Sequence, residues 1–270
     1  MNTYSKSWAR KQIPLRKNTD NKSSGGKTLV IAGSEGKWGA AILCAKAASR
    51  SGAGYVYVLN KNNDFPSCEH PDFLTIKKIG GLSEFQSIAV GPGLIDKKFI
   101  EKCIFKFIKL KFRTVVLDAE ALNTLAKMKK LPKLPGTWIL TPHEGELSRL
   151  LDISSKKIKA NRKKYALIAQ KKFGCIILLK GFHTLVADST DVWKVNSGNS
   201  SLAKAGTGDV LTGMIAGFLS QNVKPIHAAC LAAYVHGMIA DQWIDDGNDH
   251  LSLTASDMLT RLPAVLKKSR

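Results

Sequence analysis

Cys175-Ile-Ile-Leu-Leu-Lys-Gly181 decides the fold. Five apolar residues run without alternation and then stop at a lysine and a glycine. A strand with one wet face alternates apolar and polar side chains. An unbroken run marks a strand covered on both faces, as in a parallel sheet between helical layers. Similar short runs recur along the chain. Lys27–Ala32 stops at Gly33-Ser34-Glu35-Gly36, and Tyr55–Leu59 is entered through Gly52-Ala53-Gly54. Ser87–Val90 stops at Gly91-Pro92-Gly93, Thr114–Leu117 at Asp118, and Trp138–Leu140 at Thr141-Pro142-His143. Helical patterns fall between them, at about Gly39–Arg50, Ile100–Leu110 and a lysine-rich Ser155–Phe173. Thr184–Ala187 and Val192–Val195 read as a hairpin, followed by long helices at about Asp209–Ser220 and Lys224–Trp243. The alternation predicts one α/β domain over residues 25–270, a three-layer α/β/α sandwich with a mostly parallel central sheet. Residues 1–24 read as a basic tail without apolar periodicity, expected to be dispensable for chemistry.

The polar stops share one edge. In an open α/β sheet, ligands bind outside the carboxyl ends of the strands, which is where Gly33, Gly93, Asp118, His143 and Lys180 fall. Asn199–Gln221 adds a second feature: Ala205-Gly-Thr-Gly-Asp209 opens directly onto the apolar stripe Val210, Leu211, Met214, Ile215, Phe218 and Leu219. A helix N-terminus offers unpaired N–H groups and partial positive charge, and glycines let an anion approach it. Gly206, Thr207 and Gly208 therefore read either as a phosphate cradle or as an ordinary helix cap built on Thr207 or Asp209. A carboxylate repels phosphate, so Asp209 is expected to act as a general base held ionised by the helix dipole. Gly213 and Gly217, one turn apart, are expected to allow close packing against the sheet.

Composition narrows the classes. The 270 residues are 44% hydrophobic, and 41 Lys and Arg against 21 Asp and Glu give a formal charge of +20. The basic residues are scattered, with no RNP-like aromatic set or zinc-finger spacing, so nucleic acid is not the expected partner. Of the five cysteines no pair forms a CxxC, and most sit in apolar stretches as small buried hydrophobes. Cys68-Glu69-His70 reads as loop. There is no secretory h-region and no apolar run of about 20 residues, so a cytoplasmic, non-membrane protein is expected. His70, His227, His236 and His250 receive no functional role, and Asp118 is expected to orient a turn.

The chain resembles the ADP/ATP-dependent NAD(P)H-hydrate dehydratases of the ribokinase-like superfamily. The blocks that carry the resemblance are, in chain order, GSEGKWGAAILCAKAASRSGAGYVYV, VGPGL, VVLDAEALN, ILTPHEGELSRLL, ILLKGFHTLVA and NSGNSSLAKAGTGDVLTGMIAGFLSQ, and the resemblance covers about residue 27 to the C-terminus. GPG or KGxxT alone is weak; combined with TPHxGE and GTGDVL they are specific. Departures are Asn21-Lys22-Ser23 in place of His-Lys-Gly, Trp38 in place of an aromatic–proline pair, and Glu120 in place of Asp.

The resemblance implies cofactor repair. Water added at C6 of a reduced nicotinamide is removed at the expense of ADP or ATP, with Mg²⁺ as the expected bridging cation. It implies that Asp209, His143, Gly93 and an alanine, with Ala41 favoured, contact the hydrate (NADHX or NADPHX). It implies that Lys180, Gly181, Phe182, His183 and Thr184, together with Gly206, Thr207 and Gly208, bind nucleotide. His143 has an alternative as the cap of a helix beginning near Glu144, and Lys180 as a solvated strand-end lysine. The epimerase domain often fused to this family is expected to be a separate protein, and a homo-oligomer is expected. The competing reading is a small-molecule kinase of the same superfamily, of hydroxymethylpyrimidine or thiazole type.

Overall fold

The structure is a computed structural model and describes residues 1–60, 65, 72–129 and 133–270. Cys68, Glu69 and His70 lie outside the described residues. Ten strands form one sheet: β1 (Asn2–Tyr4), β2 (Lys27–Ile31), β3 (Tyr55–Leu59), β4 (Leu74–Ile76), β5 (Ser87–Val90), β6 (Val115–Leu117), β7 (Ile139–Leu140), β8 (Ile176–Leu179), β9 (Thr184–Ala187) and β10 (Val192–Val195). Their order is β1-β10-β9-β8-β7-β6-β5-β2-β3-β4. Among the described residues only the β8–β9 and β9–β10 pairs are antiparallel. The hairpin expected from the sequence is thus β9–β10.

The helices are α1 (Lys6–Gln12), α2 (Trp38–Arg50), α3 (Lys97–Lys109), α4 (Glu120–Lys127), α5 (Glu144–Leu151), α6 (Ser155–Ala160), α7 (Arg162–Phe173), α8 (Thr207–Ser220), α9 (Pro225–Asp245) and α10 (Ala255–Lys268). Two cores sandwich the sheet. Val30, Val58, Ala89, Val116 and Leu178 face α1, α2, α8, α9 and α10. Leu29, Ile31, Val90, Leu117 and Leu179 face α3 to α7. Successive residues of a strand point to opposite faces, so burial of both sets is what the unbroken apolar runs required.

Four expectations are corrected. The N-terminal segment is no free tail: β1 pairs parallel with β10, and Tyr4, Ala9 and Ile13 are buried. Trp8 and Tyr4 pack against Trp193, and Trp8 stacks on His227. These apolar residues are spaced for an edge strand and a short helix, too short a stretch to show periodicity. The lysine-rich helix is two helices, broken at Asn161, whose side chain accepts from Lys164 N and caps α7. Gly213 and Gly217 do serve close packing, but against α2. A Cβ on Gly213 would lie 2.1 Å from Cys44 O, and one on Gly217 2.5 Å from Ala48 O. Finally, Asn21–Ser23 belongs to a short turn preceding β2, at the sheet edge opposite the polar stops, so that departure does not touch the cleft.

Candidate active site

The chain reverses its direction of travel across the sheet at β2 and β5. From β2 it goes to β3 and β4 on one side, and from β5 to β6, β7 and β8 on the other. Such a switch point leaves a crevice at the carboxyl edge. Gly33 N donates to Pro92 O at 2.8 Å across it. Trp38 covers this junction, lying beside Gly33 and edge-on to Phe65 at 4.8 Å. A Cβ on Gly93 would sit 2.9 Å from the Ala40 Cβ. Ala41, the alanine favoured from the sequence, is instead wholly buried in the core, whereas Ala40 is half-buried and faces Gly93. The one-residue difference is the helical phase of α2.

The loops after β6, β7 and β8 are wired together by charge. Asp118, 2% exposed, accepts from Lys180 Nζ at 2.8 Å and from Thr212 Oγ1 of α8 at 2.8 Å. Lys180 Nζ also lies 3.5 Å from Glu146 Oε2. Burial works to lower the Lys180 pKa, but Asp118 and Glu146 outweigh it and the net shift is upward, so Lys180 stays a cation. Its side chain is 20% exposed, which excludes the solvated strand-end alternative. Asp118 therefore does more than orient a turn: it anchors the lysine of the cleft.

His143 fulfils its capping alternative. Its Nδ1 accepts from Gly145 N at 3.0 Å and Glu146 N at 3.4 Å, while Glu146 accepts from His143 N at 2.9 Å, a reciprocal capping box on α5. The ring remains exposed at the cleft edge. Capping uses Nδ1 as acceptor, which leaves Nε2 carrying the proton of the neutral ring. Glu120 begins α4, pairs with Lys97 at 3.6 Å and accepts from Asn123; it takes no part in the cleft network.

Gly206 is the N-cap of α8 with φ 90, a backbone conformation glycine adopts without strain. Thr207 Oγ1 donates to Leu202 O and Lys204 O, both at 2.9 Å, and does not cap the helix. Asp209 sits in the first turn. Among the described residues its carboxylate makes no hydrogen bond. Burial and then the nearby Asp118 raise its pKa from 3.8 to about 7, with Lys180 opposing. The expectation that the helix dipole holds it ionised is therefore corrected: burial dominates. A carboxyl poised near neutrality suits a general base better than a strongly acidic one.

A cavity of about 590 Å³ lies beside this turn. Its walls include Lys180, Gly181, Phe182, Thr184, Thr207 and Gly208. Two of the expected nucleotide residues are not on the wall: His183 has φ 56 with its ring against Phe182 at 3.9 Å, and Gly206 shapes the turn. A larger hollow of about 690 Å³, lined by Phe85, Phe112 and Leu219 among others, lies at the opposite sheet edge and holds none of the expected site residues.

Sequence reasoning missed three contributors. His236, given no functional role from the sequence, lines the cavity and its Nε2 contacts Thr207 O at 2.9 Å. Burial lowers its pKa to about 4, so the ring is neutral and Nε2–H donates. Asp241 accepts from Gly198 N at 2.8 Å and Asn199 Nδ2 at 3.0 Å, holding the wall formed by Ser197–Ser200. His250 Nδ1 lies 3.2 Å from Ser201 Oγ. A histidine inside an Ala-rich helix was the one available signal for His236. His227, by contrast, packs on Trp8.

Among the described residues no group of three or more His, Cys, Asp or Glu comes together to hold a metal. Asp118 is engaged by Lys180 and Thr212, which leaves Asp209 as the cleft carboxylate without a hydrogen-bond partner. That donor set fits a Mg²⁺ carried in on nucleotide phosphates with its waters, not a resident ion. Among the described residues no helix is long and apolar enough to cross a membrane.

The family model described as NAD(P)H-hydrate dehydratase matches residues 28–263. The ADP-dependent (S)-NAD(P)H-hydrate dehydratase of Bacillus subtilis is 34% identical, over 96% of this chain and 95% of that protein. The bifunctional NAD(P)H-hydrate repair enzyme of Moorella thermoacetica is 33% identical over 96% of this chain, which spans about half (53%) of that protein. The crystal structure of the ADP/ATP-dependent NAD(P)H-hydrate dehydratase from Bacillus subtilis, co-crystallised with ATP/Mg²⁺, superposes with a TM-score of 0.87 at 31% identity, covering 100% of this chain and 99% of that one. A ribokinase-like superfamily protein from Enterococcus faecalis has a TM-score of 0.85 at 25% identity, covering 99% and 96%.

Proposed function

Because this chain belongs to the NAD(P)H-hydrate dehydratase family, we propose that it returns the C6 hydrate of NADH or NADPH to the reduced cofactor, driven by ADP or ATP. The observation that carries the reading is Asp209. It is a carboxyl poised near neutrality at the opening of α8, directly after Gly208 of the cavity wall and within electrostatic reach of Lys180 and of Cys44 on α2. In this reading nucleotide occupies the cavity walled by Lys180, Gly181, Phe182, Thr184, Thr207 and Gly208. The hydrate lies toward Gly93, Ala40 and His143.

Asp209 takes the proton of the C6 hydroxyl as its oxygen attacks the terminal phosphorus of ADP, and AMP leaves. The ring nitrogen lone pair expels phosphate from C6, and loss of a proton from C5 restores the double bond. Phosphate is a far better leaving group than hydroxide, which is what the nucleotide contributes. Amides at the start of α8 face charge that develops on the transferring group. Lys180, locked between Asp118 and Glu146, presents a fixed positive charge and costs no reorganisation during the reaction. Mg²⁺ bound with the nucleotide would neutralise phosphate charge.

The reading extends to a cytoplasmic homo-oligomer linked in function to an NAD(P)HX epimerase; the bifunctional relatives that span twice this length support the last point. Incubation with NADHX and Mg·ADP, following dihydronicotinamide absorbance, tests the activity. Recovery of absorbance supports it, and accumulation of a phosphorylated hydrate would turn the reading toward a kinase.

A further inference from the structure

Arg162, the first residue of α7, lies behind the loop that joins β8 to β9. Its guanidinium reaches four carbonyls within five residues. Nη2 donates to Leu179 O at 3.1 Å and Lys180 O at 3.0 Å; Nη1 donates to Phe182 O and to His183 O at 3.0 Å. Its Nε lies 3.1 Å from Glu144 Oε1, an ionic contact without hydrogen-bond alignment. Glu144 is the residue after His143, so the arginine is tethered to the loop that follows β7. The pressure of this pair is visible at Gly181. Its φ is 136, and a Cβ there would fall 2.9 Å from both Arg162 Nη2 and Glu144 Oε1.

A trans peptide sets each N–H antiparallel to the carbonyl of the residue before it. With the Lys180 and Phe182 carbonyls turned onto the guanidinium, the N–H groups of Gly181 and His183 are directed away from it. Among the described residues neither N–H donates a hydrogen bond. The loop thus has four carbonyls gathered on one cation and the Gly181 and His183 donors left free, and Lys180, Gly181, Phe182 and Thr184 wall the cavity.

We propose that Arg162, anchored by Glu144, is the positioning residue that holds loop 180–184 with its free amides turned to acceptor atoms of the nucleotide. The inference rests on the reading that this cavity takes ADP. Arg162 touches neither substrate; it acts through the backbone of the loop. A planar fork reaches four carbonyls at once, which a lysine ammonium on the same stem does not.

The test compares wild type with R162Q, R162K and E144Q by calorimetric titration of Mg·ADP, by KM for ADP and for NADHX, and by amide exchange of the 180–184 segment. R162Q is expected to raise the ADP dissociation constant and KM by roughly 10- to 100-fold, the scale of a displaced binding group. KM for NADHX should hold, and exchange at 180–184 should quicken. R162K should recover only part of the loss, and E144Q, which keeps the fork but loses its anchor, should show the same pattern more weakly. E144Q also decides the matter should R162Q fail to fold. ADP affinity within twofold of wild type in both R162Q and E144Q, or equal losses for ADP and NADHX, would overturn the inference. A wild type that binds no ADP would overturn the nucleotide reading, and with it the ligand proposed for the loop; quickened exchange in R162Q would then show the clamp to be structural alone.

Discussion

Asp209→Asn separates chemistry from structure at a single position. Asparagine preserves the size of the side chain but takes no proton at neutral pH. The Asp209 pKa rises from 3.8 to about 7 on folding, so the ionised form is less favourable in the folded chain than in the unfolded one. The sign follows. The contribution to stability is intact below about pH 3.8, is lost as pH rises, and is fully lost above about 7. Three pKa units correspond to at most about 4 kcal/mol. D209N removes that cost, so its melting temperature should exceed that of wild type by several degrees at pH 8, where each kcal/mol is worth roughly 2–4 °C. The gain should shrink at pH 5 and vanish near pH 3.8. Turnover should fall by roughly 10²–10⁴-fold, the range for a positioned acid–base group. Affinity for ADP should hold or improve, because a negative charge near the phosphates is gone. Thermal melts at several pH values, ADP titration and hydrate turnover read the three effects on one variant. Near-normal turnover would refute the general-base role, and a melting temperature below wild type at pH 8 would refute the buried-carboxylate argument.

Other expectations follow from the same geometry. Wild-type turnover should rise with pH through about 7 with unit slope and then level, since Asp209 must be ionised to accept a proton; a flat profile between pH 6 and 8 would count against it. Lys180→Met leaves the Asp118 carboxylate buried without its cation, which should cost about 3 kcal/mol in denaturant unfolding and weaken ADP more than hydrate. Deletion of residues 1–21 removes β1 pairing and the buried Tyr4 and Ile13, worth about 1.5–3 kcal/mol each; an unchanged melting temperature would show the segment to be a tail after all. Gly213→Ala sets a methyl against Cys44 O, 2.1 Å from its built position, so α2 and α8 must separate and stability should drop by about 1–3 kcal/mol.

The sheet was legible because its strands advertise themselves: Ile176–Leu179 and Ile88–Val90 are apolar throughout, and both faces are buried. The polar stops then picked out the edge at which the structure gathers Asp118, Lys180 and Glu146. What escaped was whatever depends on distant partners. Asp118 looked like a turn residue because its partners, Lys180 and Thr212, are 62 and 94 positions away. The raised pKa of Asp209 depends on burial and on Asp118, neither of which is written in its neighbours. The Ala40/Ala41 ambiguity turns on the phase of α2, which packing against Gly93 sets. Tyr4, Ala9 and Ile13 escaped because an edge strand of three residues and a helix of seven offer too little repeat to read.

The central claim is that the oxygen leaving the nicotinamide ring departs as phosphate. Hydrate labelled with oxygen-18 at C6, incubated with the protein and Mg·ADP, tests it most directly. The account predicts that the label appears in inorganic phosphate, one atom for each reduced cofactor regenerated and each AMP formed. Label recovered in water, with unlabelled phosphate, would mean that nucleotide hydrolysis and dehydration are not joined through a C6 phosphate, and would contradict the mechanism.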